Sequence, residues 1–432
     1  MSEGAAMKAD APSAWHTPVP PDHPAAALLG AQAVRTRCAA VMSWVEQGRS
    51  AHFTWHAERL AETARYVTET IRLQYPDLKV PYHSRNRHFE AGGVDRWRKL
   101  VRRYELDTDV HERARVAIDL VIPSVLLDAG AGAAWKYFDA ATEQTLARSE
   151  GLGVASLRLF ESGAMSAFAS HPLRSDAAAL QIITAELIAT AFQVGADNPL
   201  VGLEGRAALL RKLGEVAAAT PAVFGECGRL GNLYDYLLSN AHDKRISAAF
   251  VLDTLLRALG PVWPGRAGLQ GVSLGDCWQH PALKDGREPP GWVPDGWVPF
   301  HKLTQWLTYS LLEPLEQSGL QIEGLDALTG LPEYRNGGLL LDLGLLVPRD
   351  ADFSMKTWKV DDEAIVEWRA VTVIALDRIA DAVRAQLGLS AAEFPLARVL
   401  EGGTWAAGRR IAVERRPGGG PPLTLVSDGT VF

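Results

Sequence analysis

Two ionisable side chains of opposite charge, Lys302 and Glu333, each follow a pattern typical of the beginning of a helix. Lys302 lies within residues 298–306, just after a proline, and Glu333 lies within residues 328–338, which end in two glycines. The beginning of a helix presents unpaired N–H groups and a partial positive charge, so it can bind phosphate and keep a carboxylate ionised. We therefore predict that this pair is the chemical centre of the protein.

Each member of the pair also has a simpler interpretation. A lysine beside an apolar helix stripe commonly extends its ammonium group into solvent. An acid at a helix start, followed two residues later by Arg335, is commonly part of a surface salt bridge. Spacing alone does not choose between these interpretations.

Apolar residues recur every three or four positions through most of the chain, which predicts helices. These helices must position the pair. We predict a mainly α protein with one large helical catalytic domain over residues 25–400. An Ala- and Pro-rich flexible tail precedes it over residues 1–24, and a Pro- and Trp-rich insertion interrupts it over residues 260–297. Alternating apolar and polar residues predict a small β-hairpin over residues 401–432.

Residues 83–97 form a predicted loop that is rich in arginine and histidine. Arg87 and Arg96 could hold an anion together with Lys302, and His88 lies in the same loop. The same composition is also typical of a solvated charged loop, so both interpretations remain open.

Three further polar residues stand out from their surroundings. Asp128 lies inside an apolar stretch, where a carboxylate needs a partner or a cavity. Asp197 and Asn198 precede Pro199, a pattern that predicts a helix over residues 200–219 with a capping side chain before it. A structural role and a ligand-binding role are both open for these residues.

The composition narrows the class of protein. The chain has 432 residues and a formal net charge of −7, which disfavours nucleic acid as the main ligand. Its three cysteines have no CxxC spacing and are expected to be reduced thiols in a cytoplasmic protein, with no metal site and no cofactor. No apolar stretch has the length of a membrane helix. A homodimer is the default expectation for assembly.

Five long motifs occur in order along the chain. They are Arg87–Trp97, Ser124–Gly132, Ala196–Arg206, Leu331–Gly338 and Ser427–Phe432. Together they resemble the fungal and bacterial family assigned to the URC route of uracil catabolism. This resemblance implies a pathway in which uracil nitrogen leaves partly as urea.

A more remote resemblance covers roughly residues 120–385. The segments 301–307, 326–335 and 363–379 are similar to motifs of the queuosine salvage enzymes. Those enzymes are N-glycosidases that act on a nucleoside 5′-phosphate and are related in fold to helical DNA glycosylases. The resemblance implies the same architecture here and makes Lys302 and Glu333 the functional pair.

Two departures from the queuosine salvage motifs bear on the substrate. Glu333 replaces an aspartate, and Leu331 replaces an aromatic residue against which a planar base would stack. We expect a smaller, non-aromatic leaving group, as in ribosylurea 5-phosphate, which would give urea and ribose 5-phosphate. The expected partner is therefore a small phosphorylated, nucleoside-like molecule.

We expect individual side chains to have specific roles in this reaction. Glu333 is the expected catalytic residue, with its pKa held down by the helix start and by Arg335. Lys302 would hold the phosphate with Arg87 or Arg96, Tyr334 would contact the sugar, and Asp128 and Asp197 would accept the urea N–H groups. The expected substrate-binding residues are Lys302, Tyr334, Arg335, His301, Asp197, Asn198, Asp128, Arg87, His88 and Arg96.

Two alternative functions remain at this point. One is a different C–N hydrolase of the ureido intermediate, with a metal held by some of His52, His56, His83 and His88. The other is a non-enzymatic helical protein that binds an enzyme of uracil catabolism through the Trp-rich segment 263–297.

Overall fold

A computed structural model describes residue 19 and residues 22–128, 130–132, 134–263, 267–284 and 296–426. Most of the predicted tail, parts of the Pro- and Trp-rich insertion and the terminal motif 427–432 therefore lie outside the described residues.

Helices dominate the described chain, which confirms the mainly α prediction. In chain order the α-helices are α1 (Ala31–Glu46), α2 (Leu60–Gln74), α3 (Asn86–Phe89), α4 (Arg96–Arg103), α5 (Val110–Leu126), α6 (Arg148–Glu161), α7 (Ala177–Gln181), α8 (Ala185–Ala191), α9 (Leu203–Ala218), α10 (Pro221–Phe224), α11 (Leu233–Ser239), α12 (Ala248–Leu259), α13 (Lys302–Gln317), α14 (Tyr334–Asp342), α15 (Glu363–Leu387), α16 (Leu396–Arg398) and α17 (Ala406–Arg415).

Short strands pair two by two around the helices. Antiparallel pairs join β1 (Phe53–Trp55) to β10 (Leu346–Pro348), β2 (Lys136–Asp139) to β3 (Gln144–Ala147), β5 (Gly268–Leu269) to β6 (Val272–Ser273) and β7 (Cys277–Gln279) to β8 (Trp297–Pro299). Parallel pairs join β4 (Arg245–Ser247) to β9 (Gln321–Glu323) and β11 (Thr357–Lys359) to β12 (Thr424–Val426).

The long helix α15 lies at the centre of the core. Every residue from 364 to 376 is buried, because α1, α2 and α14 pack around it. A helix that is buried on all sides needs such neighbours around it. Gly388, with a φ of 71°, ends the helix in the left-handed conformation that favours glycine. Helix α15 is thus a rigid support for its neighbours.

The prediction of a C-terminal β-hairpin is wrong for the described part of residues 401–432. Residues 399–405 form a π-helix, α17 follows, and the strand β12 pairs with the distant β11. The short alternating pattern also fits a helix: Ala407 and Ile411, four residues apart, are buried, whereas Val413 is 65% exposed. Packing of α17 against α14 stabilises the helix.

Helix α13 begins later than Pro299 suggests. Pro299 belongs to β8, and His301, with a φ of 48°, turns the chain so that Lys302 is the first helical residue. The backbone N–H groups of Phe300 and His301 both donate to the carbonyl of Asp276, at 2.9 and 3.2 Å. The insertion therefore fixes the direction in which α13 starts.

Candidate active site

A cavity of about 90 Å³ lies at the beginnings of α13 and α14. Its size suits several waters or a small polar molecule. Five of the residues predicted from sequence line it, namely Lys302, Glu333, Tyr334, Asp128 and His88. The remaining lining residues are His83, Gly130, Ser149, Trp306, Leu331 and Trp405.

A larger groove of about 640 Å³ lies elsewhere, beside α15. Its charged side chains include Arg35 and Asp377, which already pair with each other at 2.9 Å. The smaller cavity is the better candidate because it brings together a lysine and a carboxylate that do not form a direct ion pair.

Lys302 provides a cation at one side of the cavity. Its backbone N–H donates to Asp276 Oδ2 at 3.1 Å, which holds the helix start in place. Lys302 is half-buried, and its ammonium group has no hydrogen-bond or ion-pair partner among the described residues. Burial lowers the pKa of this lysine, while Glu333 and Asp128 act in the opposite direction. The site is suited to an anion that would complete this arrangement.

Glu333 is the residue that caps α14. Its Oε2 accepts the N–H of Arg335 at 2.6 Å and its Oε1 accepts the N–H of Asn336 at 2.7 Å. Burial raises the pKa of Glu333 even though Lys302 and both N–H groups lower it. The expected depression of this pKa is therefore wrong, because desolvation outweighs the helix start. Each oxygen retains a free lone pair through which the carboxylate can act on a substrate or water.

Asp128 has the partner that its apolar surroundings require, and that partner is Arg85. The fully buried guanidinium donates from Nη1 to Asp128 Oδ1 at 2.6 Å and from Nε to Ser124 Oγ at 2.7 Å. Burial raises the pKa of Asp128, and Arg85 opposes this effect. The second carboxylate oxygen, Oδ2, has no hydrogen-bond partner among the described residues and can accept a donor from a ligand.

Arg85 also fixes the tautomer of His88. Its Nη1 lies 2.9 Å from His88 Nδ1, and since arginine only donates, Nδ1 must accept and the ring proton must lie on Nε2. Burial, followed by the charge of Arg85, lowers the pKa of His88 well below its usual value. His88 is therefore a neutral N–H donor in the cavity wall.

Two indoles complete the wall of the cavity. Trp306 Nε1 is buried and has no hydrogen-bond partner among the described residues. A buried donor without a partner is costly, so it is often explained by a ligand or water that accepts from it. The rings of Trp306 and Trp405 lie 6.4 and 5.8 Å from that of His83. His83 in turn bonds through Nδ1 to Glu401 Oε2 at 2.6 Å.

Tyr334 lies in the wall, whereas Arg335 lies behind it. Burial raises the pKa of Tyr334, which keeps its hydroxyl protonated and able to donate. The Arg335 guanidinium sits 4.9 Å from the Tyr334 ring and donates to the carbonyl of Gly419 at 2.8 Å. Arg335 thus supports the tyrosine and forms no ion pair with Glu333.

The other predicted cations and His301 do not reach this cavity. Arg87 pairs with Glu90 at 2.9 Å and with Glu313 at 2.6 Å. Arg96 is buried and donates to Asp139 at 2.7 Å. Nε2 of His301 lies 2.8 Å from the carbonyl of Leu28. Apart from Glu90, which lies three residues after Arg87, these partners are distant in the sequence, so no local pattern identifies them.

Asp197 and Asn198 also lie outside the cavity wall. Asp197 is exposed, and helix α9 begins only at Leu203, after Gly202. Asn198 does not cap that helix: its side chain accepts from the N–H of Lys136 and donates to the carbonyl of Lys136, both at 2.8 Å. The predicted capping role is wrong because the turn before α9 is longer than the Asp-Asn-Pro pattern indicates.

Helix α15 contacts the segments that lead into both α13 and α14. Arg369 donates from both terminal nitrogens to Asp276, each at 2.7 Å, and from Nε to the carbonyl of Pro332 at 3.3 Å. The Trp368 indole donates to the carbonyl of Gly337 at 3.0 Å. The ion pair with Arg369 holds the pKa of Asp276 well below its usual range. These contacts fix the starts of α13 and α14 relative to one another.

The histidines considered for a metal do not form one cluster. His52 contacts Glu363 at 3.2 Å and His56 contacts Glu58 at 2.8 Å, on either side of β1. Throughout the described ranges, no three His, Cys, Asp or Glu side chains come together as a metal site. In the same residues, no helix combines the length and apolar character needed to cross a membrane.

The chain belongs to the family described as "Protein of unknown function (DUF1688)", whose model matches residues 27–432. It is 39% identical over 415 residues to "Protein urg3" of Schizosaccharomyces pombe, covering 94% of this chain and 98% of the relative. It is 37% identical over 442 residues to "Uracil catabolism protein 4" of Lachancea kluyveri, covering 95% of this chain and 99% of that relative. The resemblance to a uracil-catabolism family is thereby confirmed.

Proposed function

We propose that this protein acts in uracil catabolism as an N-glycosidase that hydrolyses ribosylurea 5-phosphate to urea and ribose 5-phosphate. The observation that carries the proposal is one cavity that contains the carboxylate of Glu333 and the ammonium of Lys302, which has no partner among the described residues. The name of the Lachancea kluyveri relative supports the pathway.

The first step is recognition of the phosphate by Lys302. The ammonium group of Lys302 attracts an anion, while its backbone N–H is already bonded to Asp276. Loss of one such charge-assisted contact costs about 1.5–3 kcal/mol. Because Arg87 and Arg96 lie outside the cavity wall, Lys302 carries this role without them.

The chemical step is cleavage of the C1′–N bond. That bond breaks through a transition state with positive charge on the sugar, which a carboxylate stabilises directly or by activating water. The raised pKa of Glu333 favours the second role, since a general base is most effective when its pKa approaches the working pH. Glu333 accepts the water proton through a lone pair that its capping bonds leave free.

Two further side chains match the rest of the substrate. Tyr334 donates a hydrogen bond to a sugar hydroxyl, and Asp128 Oδ2 accepts a urea N–H group. Leu331, in the same wall, offers no aromatic face for a base. Although Trp306 and Trp405 also lie in the wall, Leu331 occupies the position where the queuosine salvage motif has an aromatic residue, which suits a ureido group better than a purine.

Product analysis tests the reaction class. Wild-type protein is incubated with ribosylurea 5-phosphate carrying ¹⁵N, and the products are identified by mass spectrometry. Urea and ribose 5-phosphate in equal amounts are expected. Release of ammonia in place of urea would indicate a ureido C–N hydrolase, and the absence of any product would remove this substrate from the account.

A further inference from the structure

We propose that His83, oriented by Glu401, is the general acid that protonates the leaving nitrogen of the ureido group. This inference rests on the proposed function and assigns the second proton transfer that the hydrolysis requires.

The position of His83 is fixed from two directions. Its backbone N–H donates to the carbonyl of Ala397 at 2.9 Å. His83 is only 7% exposed, and its ring bonds through Nδ1 to Glu401 Oε2 at 2.6 Å. A carboxylate accepts, so Nδ1 carries a proton and Nε2 is the position that gains or loses one. Nε2 has no hydrogen-bond partner among the described residues, although His83 lines the cavity beside Glu333.

The carboxylate of this dyad comes from an unusual element. Glu401 lies within the π-helix Val399–Trp405, a conformation that is rare and is often found at functional sites. The same π-helix ends at Trp405, whose ring packs 5.8 Å from that of His83. One irregular segment therefore supplies both the residue that orients the histidine and an apolar surface beside it.

Other groups in the wall are less suited to this role. His88 stays neutral because burial and Arg85 lower its pKa, so it has no acidic proton to give. Burial raises the pKa of Tyr334, which makes its hydroxyl a weaker acid. Lys302 is assigned to the phosphate. His83 is the remaining side chain in the described wall that combines an orienting carboxylate with an open ring nitrogen.

The step transfers two protons. The C1′–N bond breaks and its electron pair moves to nitrogen, which takes the proton from His83 Nε2. A water oxygen bonds to C1′ and gives its proton to Glu333. The products are urea and ribose 5-phosphate, with His83 neutral and Glu333 protonated. Transfer of a proton from Glu333 to His83 through solvent restores the starting state.

A pair of substrates tests this role, since a general acid matters only for a leaving group that needs a proton. Ribosylurea 5-phosphate is compared with 4-nitrophenyl ribofuranoside 5-phosphate, which releases a stable phenolate. His83→Gln should lower kcat about 10²–10⁴-fold on the first substrate and leave the second almost unchanged. Glu401→Gln should show the same selectivity with a smaller loss, while Glu333→Gln should slow both substrates.

His52→Gln is the matched control, because His52 also pairs with a glutamate but lies outside the cavity wall. It should leave both rates unchanged. An equal loss on both substrates in His83→Gln, or no loss on ribosylurea 5-phosphate, would overturn the inference while leaving the glycosidase proposal intact. If His83→Gln does not fold by circular dichroism, the selectivity of Glu401→Gln decides the question. Wild-type protein that turns over neither substrate would refute the proposed function and this inference with it.

Discussion

Arg369 and Asp276 form a two-pronged ion pair that joins the central helix α15 to the point where Lys302 begins α13. The Arg369 side chain is fully buried and that of Asp276 is 14% exposed. Arg369 also donates to the carbonyl of Pro332, just before Glu333. One guanidinium therefore sets the relative placement of the two residues to which we assign the chemistry.

Breaking this ion pair should destabilise the protein. Asp276→Ala leaves a buried guanidinium without its carboxylate, and removal of one partner from such a pair typically costs about 3–5 kcal/mol. Chemical denaturation followed by circular dichroism measures the change. Glu323→Gln is the control, because its partner Arg245 and Glu323 itself are both more than half exposed. It should leave the free energy of unfolding almost unchanged. Similar losses in both variants would contradict the central position of the Asp276–Arg369 pair.

Gly408 should not tolerate a side chain. It lies in α17, where an added Cβ would collide with the carbonyl oxygen of Arg335 in α14. Gly408→Ala should therefore lower the melting temperature and reduce activity by displacing the helix that begins after Glu333. Gly205→Ala should instead raise the melting temperature, because Gly205 is exposed in α9 and has open space around it. Alanine there gains about 1 kcal/mol of helix propensity. A neutral Gly408→Ala would show that α17 does not constrain α14.

The activity should fall at acid pH with a midpoint above the ordinary glutamate pKa. Burial raises the pKa of Glu333, so the base is lost by protonation as the pH decreases through this raised value. Lys302 lowers the pKa of Glu333. Lys302→Met should therefore shift the midpoint of kcat/KM further upward.

Ribosylurea without its phosphate is the appropriate probe, because it does not titrate in this range. Lys212→Met provides the control, since Lys212 pairs with Glu215 away from the cavity. An unchanged or lower midpoint in Lys302→Met would contradict electrostatic coupling between Lys302 and Glu333.

The sequence predicts the parts of the site that depend on local patterns. Lys302 and Glu333 both stand at helix starts, as their flanking prolines and glycines indicate, and the need of Asp128 for a partner follows from its apolar surroundings. The partner itself could not be predicted. Arg85, Arg87 and Arg96 belong to one basic segment, and only tertiary packing directs Arg85 alone toward Asp128.

The features that the sequence did not predict also depend on tertiary packing. His83 and Glu401 are 318 positions apart, so no local pattern pairs them. The sign of the Glu333 pKa shift depends on how completely the core excludes water from a helix start, and spacing carries no such information. In the C-terminal segment, contacts with α14 decide between a helix and a strand over a stretch too short for periodicity to do so.

The most direct test of the Lys302–Glu333 assignment is steady-state kinetics on ribosylurea with and without its 5-phosphate. Lys302→Met should reduce the preference for the phosphorylated substrate roughly tenfold to hundredfold, equivalent to about 1.5–3 kcal/mol, with little change on the other. Glu333→Gln should lower kcat on both by about 10²-fold or more. A Lys302→Met protein that keeps its phosphate preference, or a folded Glu333→Gln protein with wild-type kcat, would contradict the account.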